Sequence, residues 1–211
     1  LVATLIYSNT FSSSFHFDDV RNIAENYTLR NLTNFWPPSG TRYVGFLSFA
    51  FNYRFGGLNV FGYHLVNIII HIVNGLLVWW LIVLTFKTPL MKESGVNEKV
   101  KYLMAITASL VFISHPVQTQ AVTYIVQRFA SLATLFYLLA LVLFVRCRLT
   151  SASRLKTIFY LLSLLSAVLA MKTKEISFTL PFVIILYEAV FFTDALNHER
   201  RTLNVKKFYT L

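Results

Sequence analysis

No Asp, Glu, Lys or Arg occurs between residues 61 and 86. At 1.5 Å per residue a helix of that length crosses the roughly 30 Å hydrocarbon core of a bilayer. This run makes a membrane-spanning helix the frame for everything else. It still carries His64, Asn67, His71 and Asn74, spaced three, four and three apart, so all four lie on one helical face. A polar stripe on a spanning helix turns to protein or to a cavity, not to lipid. Helix-to-helix hydrogen bonding is the expected use. Zinc ligation is the poorer one, because His64 and His71 sit two turns apart with no clear third ligand.

Further apolar segments cover residues 1–11 (expected to be half of a spanning helix), 102–114, 129–145, 157–171 and 176–193. Residues 41–54 are aromatic and apolar with Arg42 and Arg54 near the ends, the pattern of a helix lying at the interface. The expected fold is an all-α multi-pass membrane protein with about six transmembrane helices and one juxtamembrane amphipathic helix on the outer face. Residues 1–211 form a single transmembrane domain, expected to be a piece of a longer chain, and residues 12–59 its first outer loop. The composition agrees: 56% hydrophobic and only 13% charged, against about 25% charged in soluble domains. The net charge of +10 does not point to nucleic acid, because the basic residues lie between the apolar blocks. Cys147 is the single cysteine, so neither an intramolecular disulfide nor a cysteine metal cluster can form.

Alternating segments place Lys87, Lys92, Lys99 and Lys101, then Arg146, Arg148, Arg154 and Lys156, then Arg200, Arg201, Lys206 and Lys207 on one side. These are twelve of the 19 basic residues, so that side is expected to be cytoplasmic. Asp18-Asp19, His115-Pro116 and Lys172 to Glu175 then share the opposite face. Seven basic residues there, Arg21, Arg30, Arg42, Arg54, Arg128, Lys172 and Lys174, are exceptions that need another reason. Segments 102–114 and 157–171 stop short at His115-Pro116 and at Lys172, and irregular backbone at membrane depth lines a cavity or is buried in protein. A polar pocket walled by these motifs and the acidic pair follows.

Such a pocket suits a lipid-linked anionic donor. Arg128 and Lys174 would hold the phosphate of a polyprenyl-phosphate sugar. Asp18 or Asp19 would be the base on an acceptor hydroxyl. The two carboxylates could also divide base and positioning roles, or help to bind a divalent cation. The bland readings are an N-cap for the acidic pair, snorkelling or pairing with Glu175 for Arg128 and Lys174, and a plain helix terminator for His115-Pro116.

The order of motifs is itself informative. Phe-x-Phe-Asp-Asp (15–19) precedes Asn22-Ile23 and Asn26, and Gly62-Tyr63-His64-Leu65-Val66-Asn67 precedes His71 and Asn74. The block His115-Pro116-Val117-Gln118-Thr119-Gln120 runs on to Gln127-Arg128, and Lys174-Glu175 is followed by Leu180-Pro181. Nearly all of the chain resembles the membrane part of the transmembrane and tetratricopeptide-repeat O-mannosyltransferase-like family, especially its bacterial members. The resemblance implies a GT-C-like glycosyltransferase fold, a polyprenyl-phosphate-sugar donor, and inverting transfer of a mannose-like sugar to Ser or Thr of a protein acceptor. It implies a membrane-lipid environment, with the bacterial inner membrane placed ahead of the endoplasmic reticulum and the site on the non-cytoplasmic face. Asp18 and Asp19 are the expected catalytic pair. Arg42, His64, His115, Gln120, Arg128, Lys174 and Glu175 are the expected substrate-binding set, with no metal ligands assigned. Two positions depart from the family's pattern: Gln120 stands where Glu is expected, and Arg42 is followed by Tyr43 where Pro is expected. Gln120 keeps a hydrogen bond and loses a charge, which leaves a rival reading: a non-catalytic membrane subunit that binds a protein partner or lipid carrier.

Overall fold

The computed structural model describes residues 2–193, all of whose regular structure is helical. Leu1 and the basic residues Arg200, Arg201, Lys206 and Lys207 lie outside the described residues. The chain opens with α1 (Val2–Ile6) and a 3₁₀ turn at Ser8–Ser12. A loop of short turns leads to α2 (Tyr43–Gly56), and α3 (Val60–Thr85) follows. Next come α4 (Pro89–Lys92), α5 (Glu98–Ser114) and α6 (Gln118–Thr123). A 3₁₀ turn at Ile125–Gln127 feeds α7 (Arg128–Leu149), followed by α8 (Ser153–Met171) and α9 (Leu180–Glu188).

Four stretches among the described residues are long and apolar enough to cross a membrane: Val60–Thr85, Ile125–Leu149, Ser153–Met171 and Glu175–Phe192. The protein is an all-α membrane protein. Of the other two expected segments, α5 has 17 residues and α1 only 5.

The segment beginning at Ile125 is 50% buried and that of α3 39%, whereas α8 and the Glu175–Phe192 segment are each 17% buried. The first two form the centre and the last two present Leu161, Leu165, Phe182 and Ile185 outward, as lipid-facing helices do. Small residues let the helices approach. A Cβ on Gly75 would collide with Ile113 of α5, and the Gly75 carbonyl accepts a 2.7 Å bond from Ser109. Ser163 of α8 donates to the Ala140 carbonyl of α7 at 2.7 Å.

The polar stripe of α3 is wholly internal: His64, Asn67, His71 and Asn74 are all buried. His71 Nε2 lies 3.0 Å from the Ile113 carbonyl and Asn74 donates to the Ser131 carbonyl at 2.9 Å. Asn67 donates to the Val122 and Ile125 carbonyls. All four residues reach backbone carbonyls of neighbouring segments, His64 that of Ser13, so the stripe turns to protein as the periodicity predicts.

At one end of the bundle, Thr85 bonds Tyr187 at 2.6 Å and Arg148 pairs with Glu188 at 2.6 Å, close to the basic loops. At the other end gather the 12–59 loop, the 115–124 turn and the 172–175 break. Val44 N–H donates to the Lys172 carbonyl there at 3.1 Å.

Candidate functional site

The two adjacent aspartates have opposite fates. Asp19 is 1% exposed and its Oδ1 accepts the Val126 N–H at 2.6 Å, while Oδ2 accepts the His16 N–H at 3.2 Å. It clasps the loop to the entry of α7. Burial pushes its carboxyl above the ordinary carboxylate value, although the two N–H donors pull the other way. Asp18 is exposed and its own N–H donates to the Tyr124 hydroxyl at 3.0 Å. Phe17 before it is held at φ 45° with its ring 88% exposed. A left-handed aromatic residue is a strained conformation that the surrounding contacts must impose. The clasp at 19 therefore fixes the backbone that presents the carboxylate at 18.

Tyr124 was not among the expected residues. Desolvation, with the Asp18 and Asp19 carboxylates beside it, raises its hydroxyl above the ordinary tyrosine value, so it stays a hydrogen-bond donor. Its place at the end of the His115 to Arg128 block was the available signal.

Arg128 departs from expectation. It is fully buried and four of its five N–H groups are taken. Nε donates to Asn67 at 2.7 Å, Nη1 to Asn52 at 2.5 Å and the Ser48 carbonyl at 3.4 Å, and Nη2 to the Tyr63 carbonyl at 2.8 Å. The Phe49 and Tyr63 rings lie 4.5 and 5.7 Å from its guanidinium carbon. A guanidinium so enclosed joins α2, α3 and α7 and has no face open to a phosphate. His64 is likewise internal: it is buried, with Nε2 2.9 Å from the Ser13 carbonyl, and it ties the loop to α3.

His115 and Gln120 are exposed on the 115–124 turn, His115 Nδ1 accepting the Val117 N–H at 3.2 Å. Arg42 pairs with Glu175 at 3.1 Å, at the margin of a cavity of about 410 Å³ lined by Gly40, Thr41, Val168, Met171, Lys172, Glu175 and Phe178. Lys174 is half-buried next to it in the chain. Neither the acidic pair nor His115 lines this cavity, so the single pocket expected from the motifs is two neighbouring places. Between them lies one apolar cluster: Ile125, Val126 and Phe129 pack with Ile23, Leu29, Phe49, Ala50 and Tyr63. Arg30, another of the exceptional cations, donates to the Tyr53 hydroxyl at 2.5 Å and the Ala24 carbonyl at 2.8 Å, tying the loop to α2. Among the described residues no group of three or more His, Cys, Asp or Glu is placed to hold a metal ion.

Comparison with known proteins adds the family context. The chain is 34% identical to protein O-mannosyl-transferase TMTC2 of Mus musculus over 158 residues, 67% of this chain and 17% of that protein. It is 30% identical to TMTC3 of Homo sapiens over 203 residues, 89% of this chain and 20% of that protein. Protein O-mannosyl-transferase Tmtc1 of Drosophila melanogaster is 34% identical over 155 residues, 66% of this chain and 16% of that protein. This chain is a homologue of proteins named O-mannosyl-transferases. It spans about a fifth of the length of these relatives. No family profile and no solved structure matches it.

Proposed function

We propose that this chain is membrane machinery of a GT-C-like glycosyltransferase that moves a mannose-like sugar from a polyprenyl-phosphate donor to a protein Ser or Thr hydroxyl, with inversion. The observation that carries the reading is the division of labour in the acidic pair. Asp19 is a buried clasp, and Asp18 is an exposed carboxylate on a strained, well-held loop beside Tyr124. Asp18 removes the acceptor's proton as the hydroxyl oxygen bonds the anomeric carbon, and the bond from that carbon to the phosphate oxygen breaks. Lys172, Lys174 and Arg42 at the neighbouring cavity stabilise the phosphate charge that builds. His115 and Gln120 flank the acceptor path. In this reading the site faces the non-cytoplasmic side, in the inner membrane of a bacterial source, which the clustering of basic residues in the other loops supports. The names of the homologues support a sugar donor and a protein acceptor.

The test is transfer from radiolabelled polyprenyl-phosphate mannose in membranes holding the full-length protein. Asp18→Asn should lower transfer by about 10²- to 10⁴-fold at unchanged expression. Unaltered transfer in that variant overturns the assignment of the base. The rival subunit reading has Gln120 in its favour, a neutral residue where the family's pattern has Glu. Absence of transfer from every sugar in a donor panel, with Asp18 intact, selects it.

A further inference from the structure

We propose that Glu175 stands in for the donor's phosphate on Arg42, and that the Arg42–Glu175 pair is an exchange latch which a lipid phosphate opens. The proposal rests on the donor class given above and adds what the phosphate displaces when it binds. The pairing is forked but loose. Nε lies 3.1 Å from Oε1 and 3.4 Å from Oε2, and Nη2 lies 3.3 Å from Oε2. Strong guanidinium–carboxylate bonds run at about 2.7–2.9 Å. Both side chains are close to half-exposed, 43% and 49%, so the pair is cheap to break.

Arg42 is held independently of the pairing. Its backbone sits at φ 58°, its carbonyl accepts the Phe46 N–H at 3.0 Å, and the Phe129 ring lies 5.6 Å from its guanidinium carbon. Two residues on, Val44 N–H is bonded to the Lys172 carbonyl. If Glu175 swings away, the fork of N–H donors stays aimed at the same point. A phosphate presents oxygens in the geometry that fork already accepts.

The cavity beside the pair fits the rest of such a ligand. Its volume of about 410 Å³ is within the range of ligand sites. Lys172 is charged, whereas Val168, Met171 and Phe178 give an apolar wall. Val168 and Phe178 are 48% and 60% exposed, on helices that face lipid, so an isoprenoid tail can leave sideways into the bilayer. Arg42 and Lys174 act on the Glu175 carboxylate and Lys172 lines the same cavity, so replacement of that carboxylate by phosphate improves the charge match.

The experiment is equilibrium binding of tritiated undecaprenyl phosphate, without sugar, to the full-length protein in phosphatidylcholine nanodiscs. Glu175→Gln should tighten binding by about three- to tenfold, and Arg42→Gln should weaken it by about tenfold. In the Arg42→Gln background the Glu175→Gln gain should shrink to under about twofold, because no guanidinium remains to be freed. An unchanged or weaker affinity in Glu175→Gln, or an equal gain in both backgrounds, overturns the latch. Arg42→Lys, which keeps charge without the fork, should bind between parent and Arg42→Gln, and its unfolding temperature checks that the fold persists. Displacement of the probe by millimolar inorganic phosphate, or by phosphatidylglycerol at equal mole fraction, would reassign the site to a free anion or a headgroup and overturn the isoprenoid commitment. Failure of both competitors supports it. Transfer is measured separately, so a latch that binds without mannose transfer condemns the proposed reaction alone.

Discussion

Arg128 and Arg42 lie at the same end of the bundle, each against aromatic rings, yet their surroundings are opposite. Arg128 is sealed among α2, α3 and α7 with oxygen acceptors from Asn67, Asn52, Ser48 and Tyr63. Arg42 lies at the margin of a cavity with one loosely held carboxylate. A buried cation with four of its five N–H groups engaged specifies structure, whereas an exposed cation with a loosely held partner leaves its fork accessible. The aspartates repeat the contrast, Asp19 in the first role and Asp18 in the second.

The comparison is most directly broken at Arg128. Arg128→Ala leaves a cavity and strips partners from Asn67 and Asn52, and should cost about 3–5 kcal/mol. Thermal unfolding in detergent reads this, and a loss below about 1 kcal/mol would show that the hub is not structural. Asp19→Ala comes next. It orphans the buried Val126 N–H and should cost about 1–3 kcal/mol, whereas Asp19→Asn keeps an acceptor there and should cost less. Because burial raises the Asp19 carboxyl above its unfolded value, its contribution to stability is full below the unfolded value and lost as pH rises through the folded one. Asp19→Asn should therefore flatten the decline in stability just above the ordinary carboxylate range, measured as unfolding temperature against pH. An identical profile in parent and variant would refute the raised carboxyl. The smallest effect belongs to the exposed pair: Arg42→Gln should change stability by under about 1 kcal/mol while altering ligand binding. A larger loss of stability would move Arg42 into Arg128's class.

The sequence is most readable where period alone decides. The stripe on α3 follows from three- and four-residue spacing, and all four of its members are internal. The helix expected at 41–54 appears at Tyr43–Gly56, and the breaks expected at His115-Pro116 and at Lys172 are where α5 and α8 stop. The fates of the charged residues were not readable. Asp18 and Asp19 are neighbours of one chemistry, and only the docking of the loop onto Val126 separates them. Arg128 reads as a functional cation because it breaks the positive-inside pattern, and its acceptors on α2 and α3 lie 61 to 80 residues earlier in the chain. Three of the exceptional cations found their reason in this way: Arg30 on Tyr53, Arg42 on Glu175 and Arg128 in the hub.

The internal stripe of α3 also sets a timetable for biosynthesis. Asn67 finds its acceptors and its donor at Val122, Ile125 and Arg128, 55 to 61 residues downstream. At about 5–20 residues per second, a ribosome needs roughly 3–12 s to deliver them. For that interval α3 has left synthesis with the amides of Asn67 and Asn74 unmatched, while α7 does not yet exist. Whatever shelters a nascent polar helix, whether the translocation channel or an insertion chaperone, must hold α3 until the turn before α7 emerges.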